Sequence, residues 1–158
     1  MLVLLGHMNR FQPTGDPKRI LIVDDNKMGL SARRSVLEAV GHTVATSQSG
    51  VEALEIFRSG VTFDLLVTDY KMPQLTGVEL IAEVRQMYPA MPIILVSGFT
   101  DTLGLNEANT KADAVLQKCA NEVAILMRTV AKLLTRTQRK PPGVSKGQGV
   151  AVKKRGVS

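Results

Sequence analysis

Three aspartates stand where apolar runs stop: Asp24 and Asp25 close "RILIVDD", and Asp69 closes "FDLLVTD". A hydroxyl, Ser97, ends "MPIILVSG" before its glycine, and an ammonium, Lys118, ends "DAVLQK". One carboxylate after a hydrophobic run is ordinary, since strands often end where a polar residue meets solvent. Three carboxylates on one edge are not, because each pair repels by roughly 4 kcal/mol at about 4 Å and an effective dielectric near 20, so the set calls for a cation. All-oxygen ligands without His or Cys select a hard divalent ion, magnesium before zinc. Mg²⁺ binds through one or two carboxylates plus phosphate oxygens, which points to phosphoryl chemistry. Lys118 and Ser97 are then the groups to hold the remaining phosphoryl oxygens.

The chain that must position these groups has 158 residues, enough for one domain with a proper core and too few for two of ordinary size. Its 44% hydrophobic content lies in short runs, none approaching the roughly 18 residues of a membrane-spanning helix. The opening "MLVLL" falls short of the roughly 7 to 15 apolar residues of a secretory core, so the expected compartment is the cytoplasm. A single cysteine, Cys119, excludes an internal disulfide and a Cys-rich metal site.

The net charge of +6 is unevenly placed. Arg136, Arg139, Lys140, Lys146, Lys153, Lys154 and Arg155 put seven cations and no acid in residues 136–158, and the 13 basic and 14 acidic residues before them leave the body near −1. With Pro141, Pro142 and four glycines, residues 137–158 read as a disordered basic tail. A solvated tail is the plainer reading; contact with nucleic acid, an anionic membrane or an acidic partner is the other. Residues 1–17, with Pro13, Gly15 and Pro17, read as a flexible leader.

From Lys18 the pattern changes to alternating strands and helices. Ala32, Val36, Leu37 and Val40 recur at helical spacing before Gly41, a C-terminal stop. "HTVATS" is a short strand, Ala53, Leu54 and Phe57 share one helical face, and Gly77, Leu80, Ile81, Val84 and Tyr88 mark a third helix. A weak segment at 101–111 precedes the last strand. The final helix is the clearest, since Val123, Leu126, Met127, Val130, Leu133 and Leu134 follow the i, i+3, i+4, i+7 rule, with an expected end near Arg136. Continuous apolar strands with helical crossovers mean a parallel sheet covered on both faces. For five strands the common solution is the order 2-1-3-4-5, a flavodoxin-like three-layer α/β sandwich whose site lies at the carboxyl strand ends beside the switch point between strands one and three.

In the motifs "ILIVDDN", "LLVTDYKMPQLTG", "PIILVSG" and "ADAVLQK", in that order, residues 18–136 resemble the receiver domain of two-component response regulators. The resemblance implies a CheY-like fold and a phosphorelay role, with Asp69 accepting a phosphoryl group from a sensor histidine kinase or a histidine phosphotransfer protein. It implies Mg²⁺ held by Asp25, Asp69 and the backbone carbonyl of Lys71, with Asp24 acting through water. Ser97 and Lys118 would contact the phosphoryl group, and the change would pass to a downstream protein through the fourth helix, fifth strand and last helix. Such a domain signals; at most it phosphorylates and dephosphorylates itself. Pro73 and a Gly77 free to take a positive φ would fix the loop after Asp69.

The sequence departs from the family pattern at two places. Receivers usually place a proline after the lysine, joined by a cis bond, where this chain has Cys119. A cis bond before a non-proline costs about 3 to 4 kcal/mol, so the loop is expected either to hold strain or to take a trans path that moves Lys118. The switch position on strand five, commonly Tyr or Phe, is Val115, which puts the usual coupling to the output face in question. Lys71 and Phe99, two residues beyond Asp69 and Ser97, are expected to shield the phosphoryl group from water and slow its loss. Two further readings are a degenerate receiver used as a phosphorylation-independent binding module and a nucleic-acid regulator acting through the basic tail. A phosphohydrolase with an Asp nucleophile is disfavoured, since such enzymes often need a second acid where Lys71 stands.

Overall fold

The structure is a computed structural model that describes residues 16–98 and 100–139. Phe99, most of the leader and the tail from Lys140 onward lie outside the described residues. Strands β1 (Arg19–Val23), β2 (Thr43–Ser47), β3 (Leu65–Asp69), β4 (Ile93–Ser97) and β5 (Ala114–Gln117) alternate with helices α1 (Lys27–Ala39), α2 (Gly50–Arg58) and α3 (Gly77–Met87). Two single turns, α4 (Thr100–Leu103) and α5 (Glu107–Thr110), stand between β4 and β5, and α6 (Glu122–Arg139) closes the fold. All four strand pairings are parallel, in the order β2-β1-β3-β4-β5.

The period-2 alternation of the strands divides the core into two layers. Ile20, Ile22, Leu65, Val67, Ile94 and Val96 pack with Leu30 and Leu37 of α1 and Leu126, Val130 and Leu133 of α6. Leu21, Val23, Leu66, Ile93 and Leu95 pack on the opposite face with Phe57 of α2 and Leu80, Ile81 and Val84 of α3. Strands buried on both faces explain why their sequences read as unbroken apolar runs.

Helix ends follow local chemistry. Gly41, at φ 99°, ends α1 in a Schellman motif: its N–H donates to Glu38 O at 3.0 Å and that of His42 to Leu37 O at 3.1 Å. Thr76 and Glu79 form a capping box at the start of α3. Two expectations are corrected. The inward row of α1 is Leu30, Arg33 and Leu37, while Ala32 is exposed. Helix α6 runs to Arg139 instead of stopping near Arg136, because propagation adds one hydrogen bond per residue fixed and no Gly or Pro intervenes before Pro141.

Candidate functional site

The strand ends converge as the topology requires. By alternation Asp69, the last residue of β3, belongs to the face of Leu65 and Val67, the one covered by α1 and α6. Asp24 follows β1 on the same face, and one carboxylate oxygen from each of Asp24, Asp25 and Asp69 lies within 4.8 Å of the others. Asp24 and Asp69 are buried while Asp25 is exposed. Together with Asn26, Lys71, Met72, Pro73, Gly98 and Lys118 they line an open cleft of about 490 Å³.

Each acid is held differently. The Lys118 ammonium sits 2.9 Å from Asp69 Oδ1. Asp24 Oδ1 accepts the Asn26 N–H at 2.9 Å, and Asp24 Oδ2 accepts from Arg33 Nη1 at 2.6 Å. Burial pushes the Asp69 carboxyl above its ordinary range; the hydrogen bond from Lys118 opposes this and the charge of Asp24 adds to it. Three carboxylates and two cationic side chains at one strand edge make a pocket where a hard cation would meet oxygen ligands and an anion would meet Lys118.

Local sequence explains the geometry of the loop after Asp69. The Tyr70 N–H donates to Val96 O at 2.9 Å and the Gly77 N–H to Tyr70 O at 2.8 Å, folding the loop back under the strand end. A Cβ on Gly77 would fall inside contact distance of the Asp69 carbonyl oxygen and 2.8 Å from Leu95 Cδ1. Close backbone approach, and not a positive φ, is therefore what requires glycine there. The left-handed residue of this loop is Gln74, at φ 71°.

Lys118 follows β5 directly, and its N–H donates to Ser97 O at 2.9 Å. No cis peptide bond occurs among the described residues, so the bond to Cys119 is trans. Lys118 nonetheless reaches Asp69, because the pairing of β5 with β4 fixes the lysine backbone before the chain turns at Cys119. Cys119 itself is exposed. Ser97 is buried at the end of β4, where Gly98 forms the cleft wall. Val115 is half-buried and packs into the layer of α2 and α3, on the other face of β5 from Lys118.

The residue that sequence reasoning missed is Arg33. Its side chain is 4% exposed, and it donates through Nη1 to Asp24 and through Nε to Glu122 Oε1, each at 2.6 Å. Burial alone would lower the guanidinium, but the hydrogen bonds to Glu122 and Asp24 outweigh that and raise it. A signal was present: Arg33 interrupts the row Leu30, Arg33, Leu37 at i, i+3, i+7.

Residues 20–130 match the family described as response regulator receiver domain. The chain belongs to that family. Receivers are signalling domains of two-component systems and not classical enzymes. The two-component response regulator ORR42 of Oryza sativa subsp. japonica is 33% identical over 125 residues, covering 77% of this chain and 94% of the relative. The transcriptional regulatory protein ZraR of Klebsiella oxytoca is 30% identical over 87 residues, 55% of this chain but only 19% of that protein. Among solved structures, the response regulator TrrA of Thermotoga maritima in complex with Mg²⁺-BeF superposes with a TM-score of 0.66 at 31% identity, covering 73% of this chain and 98% of that one. No helix among the described residues is long and apolar enough to cross a membrane.

Proposed function

We propose that this receiver is a phosphoacceptor in a cytoplasmic phosphorelay, with Asp69 taking a phosphoryl group from a histidine kinase or a histidine phosphotransfer protein. The observation that carries the reading is Asp69 itself: a buried carboxylate with Lys118 Nζ at 2.9 Å and two further acids within 4.8 Å. The donor set is all oxygen, which fits Mg²⁺: Asp25, Asp69 and the Lys71 carbonyl would hold the ion, with Asp24 beside them. When bound, the ion supplies positive charge that screens the carboxylates and the incoming phosphoryl oxygens.

One Asp69 oxygen attacks phosphorus in line with the P–N bond of the donor phosphohistidine. The O–P bond forms as the P–N bond breaks, and the electron pair returns to the imidazole, which takes up a proton. Lys118 keeps Asp69 ionised and oriented, then moves its charge to a phosphoryl oxygen. The Ser97 hydroxyl contacts a second oxygen, and Lys71 at the cleft rim limits the approach of water. Output passes through protein contacts on the β5 and α6 side, with Val115 in place of an aromatic switch residue.

Intact mass after incubation with acetyl phosphate and Mg²⁺ tests the reading. A single phosphate adduct is expected on the wild type and none on Asp69→Asn. A folded wild-type sample that takes no adduct would sink it and leave a binding module that works without phosphate.

A further inference from the structure

We propose that Arg33 is a positioning residue of the cation site: it fixes Asp24 by one carboxylate oxygen and, through its charge, sets how tightly a divalent ion binds beside Asp25 and Asp69. The inference rests on the reading above that the three acids receive such an ion.

The pair is built into the fold. Arg33 and Asp24 side chains are 4% and 1% exposed, so the guanidinium cannot swing into water, and arginine does not lose its proton in proteins. Space for it is made by Gly29, where an added Cβ would stand 2.9 Å from Asp24 Oδ2 and 3.4 Å from Arg33 Nη1. Glycine is a poorer helix former than alanine, so α1 gives up helix stability to admit the pair. Stability is a weak reason for its presence, because a buried ion pair is commonly matched or bettered by apolar residues of the same shape.

The consequence falls on the acids. With both Asp24 oxygens engaged, by Asn26 N–H and by Arg33, that carboxylate would meet an arriving ion with part of its charge already compensated. Glu122 works in the other direction, since it holds the Nε edge of Arg33 at 2.6 Å and shares its charge. Arg33 therefore weakens cation binding and Glu122 moderates that weakening. A role in packing alone predicts no such opposition.

The test is calorimetric titration of the full chain with MgCl₂, beside thermal unfolding of each variant without the ion. Arg33→Met is expected to bind Mg²⁺ about tenfold more tightly, the size of effect one close opposite charge has on a carboxylate. Glu122→Gln is expected to bind more weakly than wild type, and Arg33→Lys to stay close to it. Equal affinities in wild type, Arg33→Met and Glu122→Gln would overturn the proposal and leave the phosphoacceptor reading intact. Absence of Mg²⁺ binding in all of them would overturn both. If Arg33→Met does not fold, Glu122→Gln decides: weaker binding supports the proposal and unchanged binding overturns it.

Discussion

Each acid of the site and its lysine ends an apolar run, and a charged group at the end of a buried strand has only the sheet edge to occupy. Arg33 carries a weaker signal: it interrupts the inward row of α1, but amphipathic patterning by itself assigns an arginine to solvent, and it is the close approach of α1, β1 and α6 that shows otherwise. A trans bond to Cys119 leaves Lys118 within reach of Asp69, because strand pairing holds its backbone. His42 lies away from the site and gives a separate handle. Its Nδ1 accepts the Lys18 N–H at 3.3 Å, which requires the neutral ring, and burial followed by the charge of Lys18 lowers it from 6.5. The unfolded chain therefore binds more protons than the folded one between the lowered value and 6.5, so stability is full above that window and is lost as pH falls through it. Thermal unfolding from about pH 7.5 down to about 5 should show the midpoint falling, with a shallower fall in His42→Gln. Equal slopes in the two proteins would assign the pH dependence to other groups.

Strands and long helices follow the sequence where one signal dominates, as with the unbroken apolar strands and the Gly41 stop. Sequence pattern and structure part where a signal ends early or is weak. The apolar stripe of α6 ends at Leu134 but its backbone hydrogen bonds continue to Arg139. The stretch between β4 and β5 resolves into single turns, the second capped by the mutual bonds of Asn106 and Asn109 and ended by Lys111 at φ 63°. At α3 the pattern T-x-x-E announces its own start: Thr76 Oγ1 accepts the Glu79 N–H at 3.2 Å while Glu79 Oε2 accepts the Thr76 N–H at 2.9 Å. Thr76→Ala should cost about 1 kcal/mol in chemical denaturation. Because the two bonds act as one cap, adding Glu79→Ala should cost less than it does alone; strictly additive losses would show two independent contacts.

At the scale of the whole molecule, the order β2-β1-β3-β4-β5 followed from alternation and handedness, whereas the linkage between the two ends of the domain did not. Arg33 and Glu122 are 89 positions apart, and around their bond Leu30 and Leu37 share a layer with Leu126, Val130 and Leu133. The first and last helices are thus sealed into one cooperative unit, and α6 should not open by itself despite following the last strand. Amide hydrogen exchange makes this measurable: Leu37→Ala, a cavity in α1 costing about 2 to 5 kcal/mol, should lower the opening free energy of the amides of Leu126 to Val130 by the same amount as those of α1. Amides in α6 that kept their wild-type protection would mean that the helix opens separately. If they shift together, slow exchange in the last helix reports the stability of the first.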